Sequence, residues 1–136
     1  MSFAVRVARE DGVVIIAVEG RGAGRDLLRR ITPALEESAA TGDRRLLLDL
    51  REAQVSELPA ADMHGFEIGV ARREGMRGAG ARAAVLVKSD LLFGVARMFQ
   101  TIRAESPVAY GVFRDPAEAA AWLAAPSEES PPAPRR

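Results

Sequence analysis

The sequence predicts a single α/β domain with the element order β-β-α-β-α-β-α-β-α. The predicted sheet is mixed, mostly parallel and of about five strands, with an antiparallel N-terminal hairpin and helices packed on it. Three observations predict this fold class. Short runs of β-branched residues and leucine alternate with segments of helical periodicity, an Asp-Gly pair separates the first two runs, and 136 residues with 48% hydrophobic and 28% charged side chains are typical of one globular domain.

The first two strands are predicted to form the antiparallel hairpin. Phe3, Val5 and Val7 alternate with small or charged residues, which is the pattern of a half-buried strand. The pair Asp11-Gly12 is a strong turn signal, and residues 13–18 form an apolar, mainly β-branched run typical of strands buried on both faces. We therefore expect the second strand to be central in the sheet.

A glycine-rich segment separates the second strand from the first helix. Residues 20–24 are expected to break the strand, and the apolar positions that follow predict a helix running to about residue 40. Pro33 would lie inside this helix, so we expect a kink or a late start near Thr32. Residues 46–50 form the third strand, far enough along the chain for a right-handed crossover and parallel pairing.

The remaining elements continue the alternation of helix and strand. They are a second helix over about 58–75, a fourth strand over 83–87, a third helix over about 89–104, a fifth strand over 108–113 and a last helix over about 115–123. Residues 125–136, rich in Pro, Ser and Glu, have nothing to bury and are predicted to form a disordered tail. The domain is therefore expected to span residues 1–124.

Composition argues against several classes of function. Acidic and basic residues balance at 19 each, whereas a domain that wraps nucleic acid usually shows a basic excess. Cysteine is absent, which excludes disulfides, thiol catalysis, iron–sulfur clusters and most zinc sites. No apolar signal segment opens the chain, and no run is long enough to span a bilayer. We therefore expect a cytoplasmic protein with no cofactor, no nucleic-acid partner and no stable membrane insertion.

The sequence contains no catalytic or phosphate-binding motif. The glycines of residues 20–24 miss the G-x-G-x-x-G spacing, which favours a tight turn over nucleotide binding. His64 is the single histidine, and no second histidine or cysteine completes a metal site with it. The available acids and bases, Asp49, His64 and Asp90, lie in different predicted elements, so no enzyme activity is expected.

A basic stripe is predicted near the start of the first helix. Arg21, Arg25 and Arg29 recur every fourth residue, so an early helix start would align them on one face. Such a stripe suits lipid head groups, an acidic partner or an anionic ligand. The alternative is a solvated face balanced by acids elsewhere.

The start of the third helix carries two polar residues. Ser89 is predicted to cap the first turn, and Asp90 to complement the helix dipole. A functional alternative is that both form the polar rim of a ligand site at the carboxyl ends of the strands.

Helical periodicity predicts an apolar arc and a mixed face on the third helix. The arc, expected to face the core, comprises Leu91, Leu92, Val95, Ala96, Met98, Phe99 and Ile102. Phe93 is expected to lie beyond this arc, beside Arg97 and Gln100. An aromatic residue among polar neighbours is typical of a contact surface, although a single exposed Phe is also common.

The sequence resembles the bacterial SpoIIAA-like proteins, which are small STAS-type domains also labelled CRAL-TRIO-like. The resemblance covers about residues 3–124. It rests on the element order, on the strand ending in Asp49-Leu50-Arg51, on the Ser-Asp-x-x-x-Gly-x-Ala-Arg-Met segment within residues 88–100, and on the closing residues 112–123.

The resemblance implies a regulatory, protein-binding module with no known reaction. Anti-sigma-factor antagonists of this type carry a phosphorylatable Ser or Thr after the third strand, at the opening of the second helix. Here Ser56 is the nearest hydroxyl, slightly early, and the helix start itself has none. A loop serine is ordinarily a solvated turn or capping residue, so phosphorylation of Ser56 is not the favoured interpretation.

The sequence is compatible with three classes of function. The favoured one is a non-enzymatic regulatory or protein-interaction module, expected as a homodimer, that uses the third helix and its Phe93–Arg97 face. The alternative is a small domain that binds a lipid or another apolar ligand, with the arginine stripe near the mouth of the site. The third, an enzyme, has only the unconnected acids and bases named above.

Overall fold

A computed structural model of the chain describes residues 2–126. Within them, five strands form one sheet in the order β1-β2-β3-β4-β5, in which β1 and β2 pair antiparallel and all later neighbours pair parallel. The strands are β1 (Phe3–Glu10), β2 (Val13–Gly22), β3 (Arg45–Val55), β4 (Arg82–Leu86) and β5 (Ala109–Phe113). The predicted fold class and element order are confirmed. Most of the predicted tail lies outside the described residues, so the tail stays a prediction.

Four helices, counted over the same residues, cover the two faces of the sheet. They are α1 (Gly24–Thr41), α2 (Ala60–Arg73), α3 (Asp90–Ile102) and α4 (Pro116–Ala124), with a single 3-10 turn (Glu74–Arg77) directly after α2. Buried side chains of α1 and α3 join the main core on one face, and α2 adds half-buried residues to it. α4 packs on the opposite face and forms a smaller core.

A buried arginine fixes α4 to the sheet. Arg82 of β4 is 1% exposed, and its Nη1 donates to the carbonyl of Trp122 at 2.6 Å. The guanidinium also lies 5.1 Å from the centroid of the Trp122 ring. The same carbonyl accepts from the amide of Ala125 just after the helix, so Arg82 adds a second hydrogen bond there and anchors the end of α4 to β4.

The segment between β2 and α1 differs from the prediction. β2 continues to Gly22 because its pairing with β3 extends to Gly22 opposite Val55. The helix begins at Gly24, so the late start expected near Thr32 is wrong. Pro33 lies inside α1 on its exposed side, where water can solvate the carbonyl that loses its amide partner.

The start of α1 packs closely against the segment that leads into α2. A Cβ atom placed on Gly24 would lie 2.3 Å from the carbonyl oxygen of Glu57 and 2.4 Å from Cδ1 of Leu58. Only glycine permits this approach, since a backbone carbonyl cannot easily move away. The contact holds the starts of α1 and α2 together at the carboxyl edge of the parallel strands.

We predict that Gly24→Ala lowers the free energy of unfolding by about 1–3 kcal/mol, the usual effect of inserting an atom into a packed site. The matched control is Gly94→Ala, because no atom lies within 4 Å of a Cβ atom there. In the control, alanine should raise helix stability by about 0.5–1 kcal/mol. Urea denaturation of both variants measures the difference, and a Gly24→Ala variant as stable as the wild type would contradict the close contact.

Candidate functional site

A large cavity lies between α2 and the sheet. Its volume is about 620 Å³, within the roughly 300–1,000 Å³ typical of small-molecule sites. Its lining is mostly apolar and includes Leu35 of α1, Leu48 of β3, Phe66 and Val70 of α2, Val85 of β4 and Phe99 of α3. The sheet and three helices therefore border a partly open apolar space large enough for a ligand.

The cavity exists because α2 is held away from the sheet. None of the 14 residues of α2 is buried. Met63, Phe66 and Val70 are half-buried and face the cavity, while the helix packs mainly against α1 and the 3-10 turn. Phe66 also approaches Phe99 of α3, with ring centroids 6.1 Å apart. A helix that packs directly on a sheet normally buries its apolar stripe. The apolar stripe of α2 is only half-buried, and it faces the cavity.

One end of the cavity is polar and contains the buried Arg77. This side chain is 8% exposed. Its Nη1 donates to Oγ of Ser38 at 2.8 Å and to the carbonyl of Asp43 at 3.1 Å, and its Nη2 donates to the carbonyl of Leu35 at 3.1 Å. All three acceptors are neutral and lie at or just after the C-terminal end of α1. Burial lowers the pKa of Arg77 below its ordinary value.

Glu74 is a buried carboxylate at the same end, 3% exposed. Nε of Arg103 donates to its Oε2 at 3.2 Å, Nη2 of Arg103 binds its Oε1, and the hydroxyl of Tyr110 donates to Oε2 at 2.6 Å. Burial alone would raise the pKa of Glu74. Hydrogen bonds from Arg103, Ser106 and Tyr110 outweigh burial and hold that pKa below its usual range. The 3-10 turn is thereby tied to β5 and to the end of α3.

The opposite end of the cavity lies at the carboxyl edge of the sheet and carries two arginines of the predicted stripe. These α1 arginines, Arg25 and Arg29, both line the cavity. Nε of Arg25 lies 3.7 Å from Oδ1 of Asp62, and Nη1 of Arg29 lies 3.8 Å from Oδ1 of Asp26. Each basic group at this end therefore faces an acid.

Arg21 and the glycines before α1 have structural roles. Arg21 lies in β2, and its Nη2 donates to Oε1 of Gln54 on β3 at 3.3 Å. The prediction that Arg21 belongs to the stripe is therefore wrong, because β2 continues past residue 20 and only Arg25 and Arg29 lie on α1. A Cβ atom on Gly20 would lie 2.2 Å from the carbonyl oxygen of Ser2, so this glycine permits close packing of β1 on β2.

Ser89 and Asp90 begin α3. Oγ of Ser89 accepts a hydrogen bond from the amide of Leu92 at 3.2 Å, which confirms the predicted N-cap. Oδ1 of Asp90 lies 2.9 Å from Nη2 of Arg114 in the segment after β5. Both residues therefore have partners that tie the helix start to its surroundings.

The face that α3 turns to the core differs from the predicted one. Phe93, expected outside the core, is 8% exposed, with the guanidinium carbon of Arg114 4.3 Å from its ring centroid. Met98 and Ile102, expected to face the core, are 65% and 54% exposed. The reason is that α3 packs beside the edge strand β5, where Arg114 covers the Phe93 side of the helix.

The other two predicted contact residues of α3 lie on either side of its buried face. Nε2 of Gln100 donates to the carbonyl of Tyr110 at 2.9 Å, so this side chain ties α3 to β5. Arg97 is half-buried and borders a shallow groove that Met98 and Ile102 also line. We call Leu91, Met98 and Ile102 the outer face of α3; all three are exposed.

The structure does not bring the possible catalytic residues together. Asp49 alternates with core residues of β3, so it points to the sheet face opposite α2, where Nη2 of Arg51 lies 2.8 Å from its Oδ2. His64 is exposed on α2, and Asp90 pairs with Arg114. No cluster of three potential metal ligands occurs within residues 2–126. Ser56 lies exposed between β3 and α2, whose N-cap is Pro59.

Sequence patterns did not single out the polar end of the cavity. Glu74 falls at the end of the predicted second helix and Arg77 in the predicted loop after it, and Tyr110 lies in a predicted strand some 30 residues further along. Tyr110 and Glu74 are 36 positions apart, and Arg77 and Ser38 are 39 apart. The one available signal is the charge of Glu74 and Arg77 beside apolar segments, and that pattern alone does not predict burial.

Comparisons with known proteins agree on the fold. No protein-family model and no curated protein matches the chain. Among solved structures, the chain is similar to an uncharacterised protein of the DUF3478 family with a SpoIIAA-like fold from Shewanella loihica PV-4, with a TM-score of 0.55 and 19% identity over 90% of this chain and 94% of that one. It is also similar to an anti-sigma factor antagonist from Mycobacterium paratuberculosis, with a TM-score of 0.61 and 14% identity over 90% and 94% of the two chains.

These likenesses show that the chain has the SpoIIAA-like fold, as the sequence resemblance implied. At 19% and 14% identity they carry the fold alone. Within residues 2–126, none of the helices combines the length and the apolar character needed to cross a bilayer.

We predict that Tyr110→Phe lowers the free energy of unfolding at neutral pH by about 1.5–3 kcal/mol, the usual contribution of a hydrogen bond to a charged group. Burial and the hydrogen bond to Glu74 raise the pKa of Tyr110 in the folded state. The contribution of Tyr110 is therefore complete below the ordinary tyrosine pKa of about 10 and is lost as the pH rises further.

Chemical denaturation of both proteins across this pH range checks the prediction. The stability difference between the wild type and Tyr110→Phe should narrow above pH ~10. A difference that stays constant with pH would show that the phenol is not held by the carboxylate of Glu74.

Proposed function

We propose that this protein is a non-enzymatic regulatory module of the STAS-like type that acts in the cytoplasm and contacts a protein partner through the outer face of α3. The observation that supports this most directly is the exposure of three large apolar side chains on one side of one helix. Leu91, Met98 and Ile102 are 38%, 65% and 54% exposed.

The spacing of these residues makes them one surface. Positions i, i+7 and i+11 of a helix lie on one line along its axis. The groove beside them is bordered by Arg97 and by the Arg114–Asp90 ion pair, which gives an apolar centre with a charged edge. Contiguous apolar surface with a polar rim is typical of protein-interaction sites, and methionine and arginine are enriched in them.

The fold likeness supports a regulatory role. One protein with this fold is an anti-sigma factor antagonist. Its low identity to this chain transfers no residue roles, so the choice of surface comes from α3 itself. The predicted contact surface thus moves from Phe93, which is buried, to the residues on the other side of the helix.

Self-association is the one protein–protein contact through this face that can be tested with the purified protein alone. We propose that two copies pair through the outer face of α3 and form a homodimer. Met98→Glu places a charge at the centre of the apolar surface and is expected to shift the protein from dimer to monomer, with a dissociation constant raised at least about tenfold, or by about 1.4 kcal/mol. Analytical ultracentrifugation over a concentration series measures this shift.

The matched control is Ile68→Glu, because Ile68 is also exposed, at 42%, but lies on α2. It should leave the association unchanged. A wild-type protein that stays monomeric at all concentrations excludes the homodimer. A photo-crosslinking residue at Met98 then tests for another partner, and no more crosslinking there than at position 68 in cells would contradict the proposal.

A second candidate function, binding of a small apolar ligand, is favoured by the cavity beneath α2. The cavity is bordered by three helices and the sheet, is partly open to solvent, and has the volume of a ligand site. Two arginines of the predicted stripe, Arg25 and Arg29, line the end of the cavity at the carboxyl edge of the sheet, whereas Arg21 does not line it.

A further inference from the structure

We propose that the cavity beneath α2 binds a single-chain carboxylate amphiphile of the fatty-acid class, with the acyl chain under α2 and the carboxylate at Arg77. This inference rests on the second candidate function and specifies its ligand. It depends on the shape of the cavity, on the environment of Arg77 and on the pairing of the other arginines that line the cavity.

The size and lining of the cavity suit one acyl chain. A volume of about 620 Å³ lies in the range of sites that hold one small molecule. The 14 residues of α2 span about 21 Å at 1.5 Å per residue, so the helix covers the length of an extended chain. Water gains few hydrogen bonds against such a lining, whereas an acyl chain removes apolar surface from water along its whole length.

Arg77 has the hydrogen-bonding groups that a carboxylate needs. Both protons of its Nη1 are used by Ser38 and Asp43, and one proton of Nη2 is used by Leu35. Among the described residues, Nε and the second Nη2 proton have no acceptor, and Nε and Nη2 form the side of the guanidinium that binds carboxylates with two parallel hydrogen bonds.

The charge of Arg77 is also without an ion pair in the described part of the chain. The negative charge of Asp43 favours the charged form of Arg77. The Asp43 carboxylate is, however, paired with Arg9, whose Nη2 lies 2.8 Å from Oδ2 of Asp43. The other acid at this end, Glu74, is engaged by Arg103 and Tyr110. A buried cation gains most from an anionic partner that arrives with its own hydrogen-bond acceptors.

The other arginines along the cavity already face acids. The α1 arginines lie beside Asp62 and Asp26, and Nη2 of Arg73 lies 2.9 Å from Oε2 of Glu36. Among the lining residues that the structure describes, Arg77 is therefore the cation best placed to select a carboxylate. The head group is assigned to the polar end and the chain to the apolar remainder.

The first experiment varies the ligand and leaves the protein unchanged. The full-length protein is titrated with cis-parinaric acid, a fluorescent fatty acid, and the bound probe is then displaced by dodecanoic acid or by dodecan-1-ol at neutral pH. The two competitors share the same chain and differ in the charged head. The acid should displace the probe at a concentration at least about tenfold lower than the alcohol.

Two pairs of variants locate the site. Val85→Phe fills the cavity from β4 and should abolish probe binding, whereas Ile68→Phe on the exposed side of α2 should not change it. Arg77→Gln should remove the preference for the acid, whereas Arg72→Gln, an exposed arginine, should keep it. Circular dichroism and thermal unfolding establish that each variant is folded, and the comparison of acid with alcohol in the wild type needs no variant.

The outcomes distinguish the binding of an apolar ligand in general from the specific assignment of a carboxylate at Arg77. Equal displacement by acid and alcohol overturns the carboxylate assignment and leaves apolar-ligand binding intact. Absence of probe binding to folded wild-type protein overturns both. Unchanged binding to folded Val85→Phe shows that the ligand lies elsewhere, and an unchanged acid preference in folded Arg77→Gln removes Arg77 as the recognition group.

Discussion

The long parallel pairing of β2 with β3 is the constraint on which the rest of the structure depends. It continues from Val14 opposite Leu46 to Gly22 opposite Val55. Because both strands end at the same edge, α1 and the segment before α2 emerge side by side, and Gly24 lets them touch. At the far end, Arg77 follows α2 and binds the end of α1. α2 is thus fixed at both ends while its middle stands off the sheet, and this arrangement creates the cavity.

The third helix connects the two surfaces to which we assign binding. Val95 and Phe99 line the cavity, whereas Met98 and Ile102 face outwards. The acids and bases that the sequence offered lie apart: Asp49 is engaged by Arg51 on the opposite face of the sheet, and His64 is exposed on α2.

Local patterns predicted the strands, the helices and the N-cap at Ser89 because those features depend on residues close together in the chain. Helical periodicity also identified α3 as amphipathic, but it placed Met98 towards the core and Phe93 outside it. The apolar arc of α3 is wider than the strip of sheet it can cover, so periodicity could not decide which part is buried. The neighbouring β5 and Arg114 decided that, and they are distant in sequence from the residues they cover.

By itself, the sequence determined the α/β class, the element order, the antiparallel hairpin and the absence of cysteine chemistry, since composition and short-range periodicity are sufficient for these. The extension of β2 through Gly22 and the exposure of Met98 were decided only by the tertiary structure. The same holds for the cavity and for the burial of Glu74 and Arg77 at its polar end. These features arise from contacts between segments far apart in the chain, and such contacts are set by how the helices and the sheet pack together.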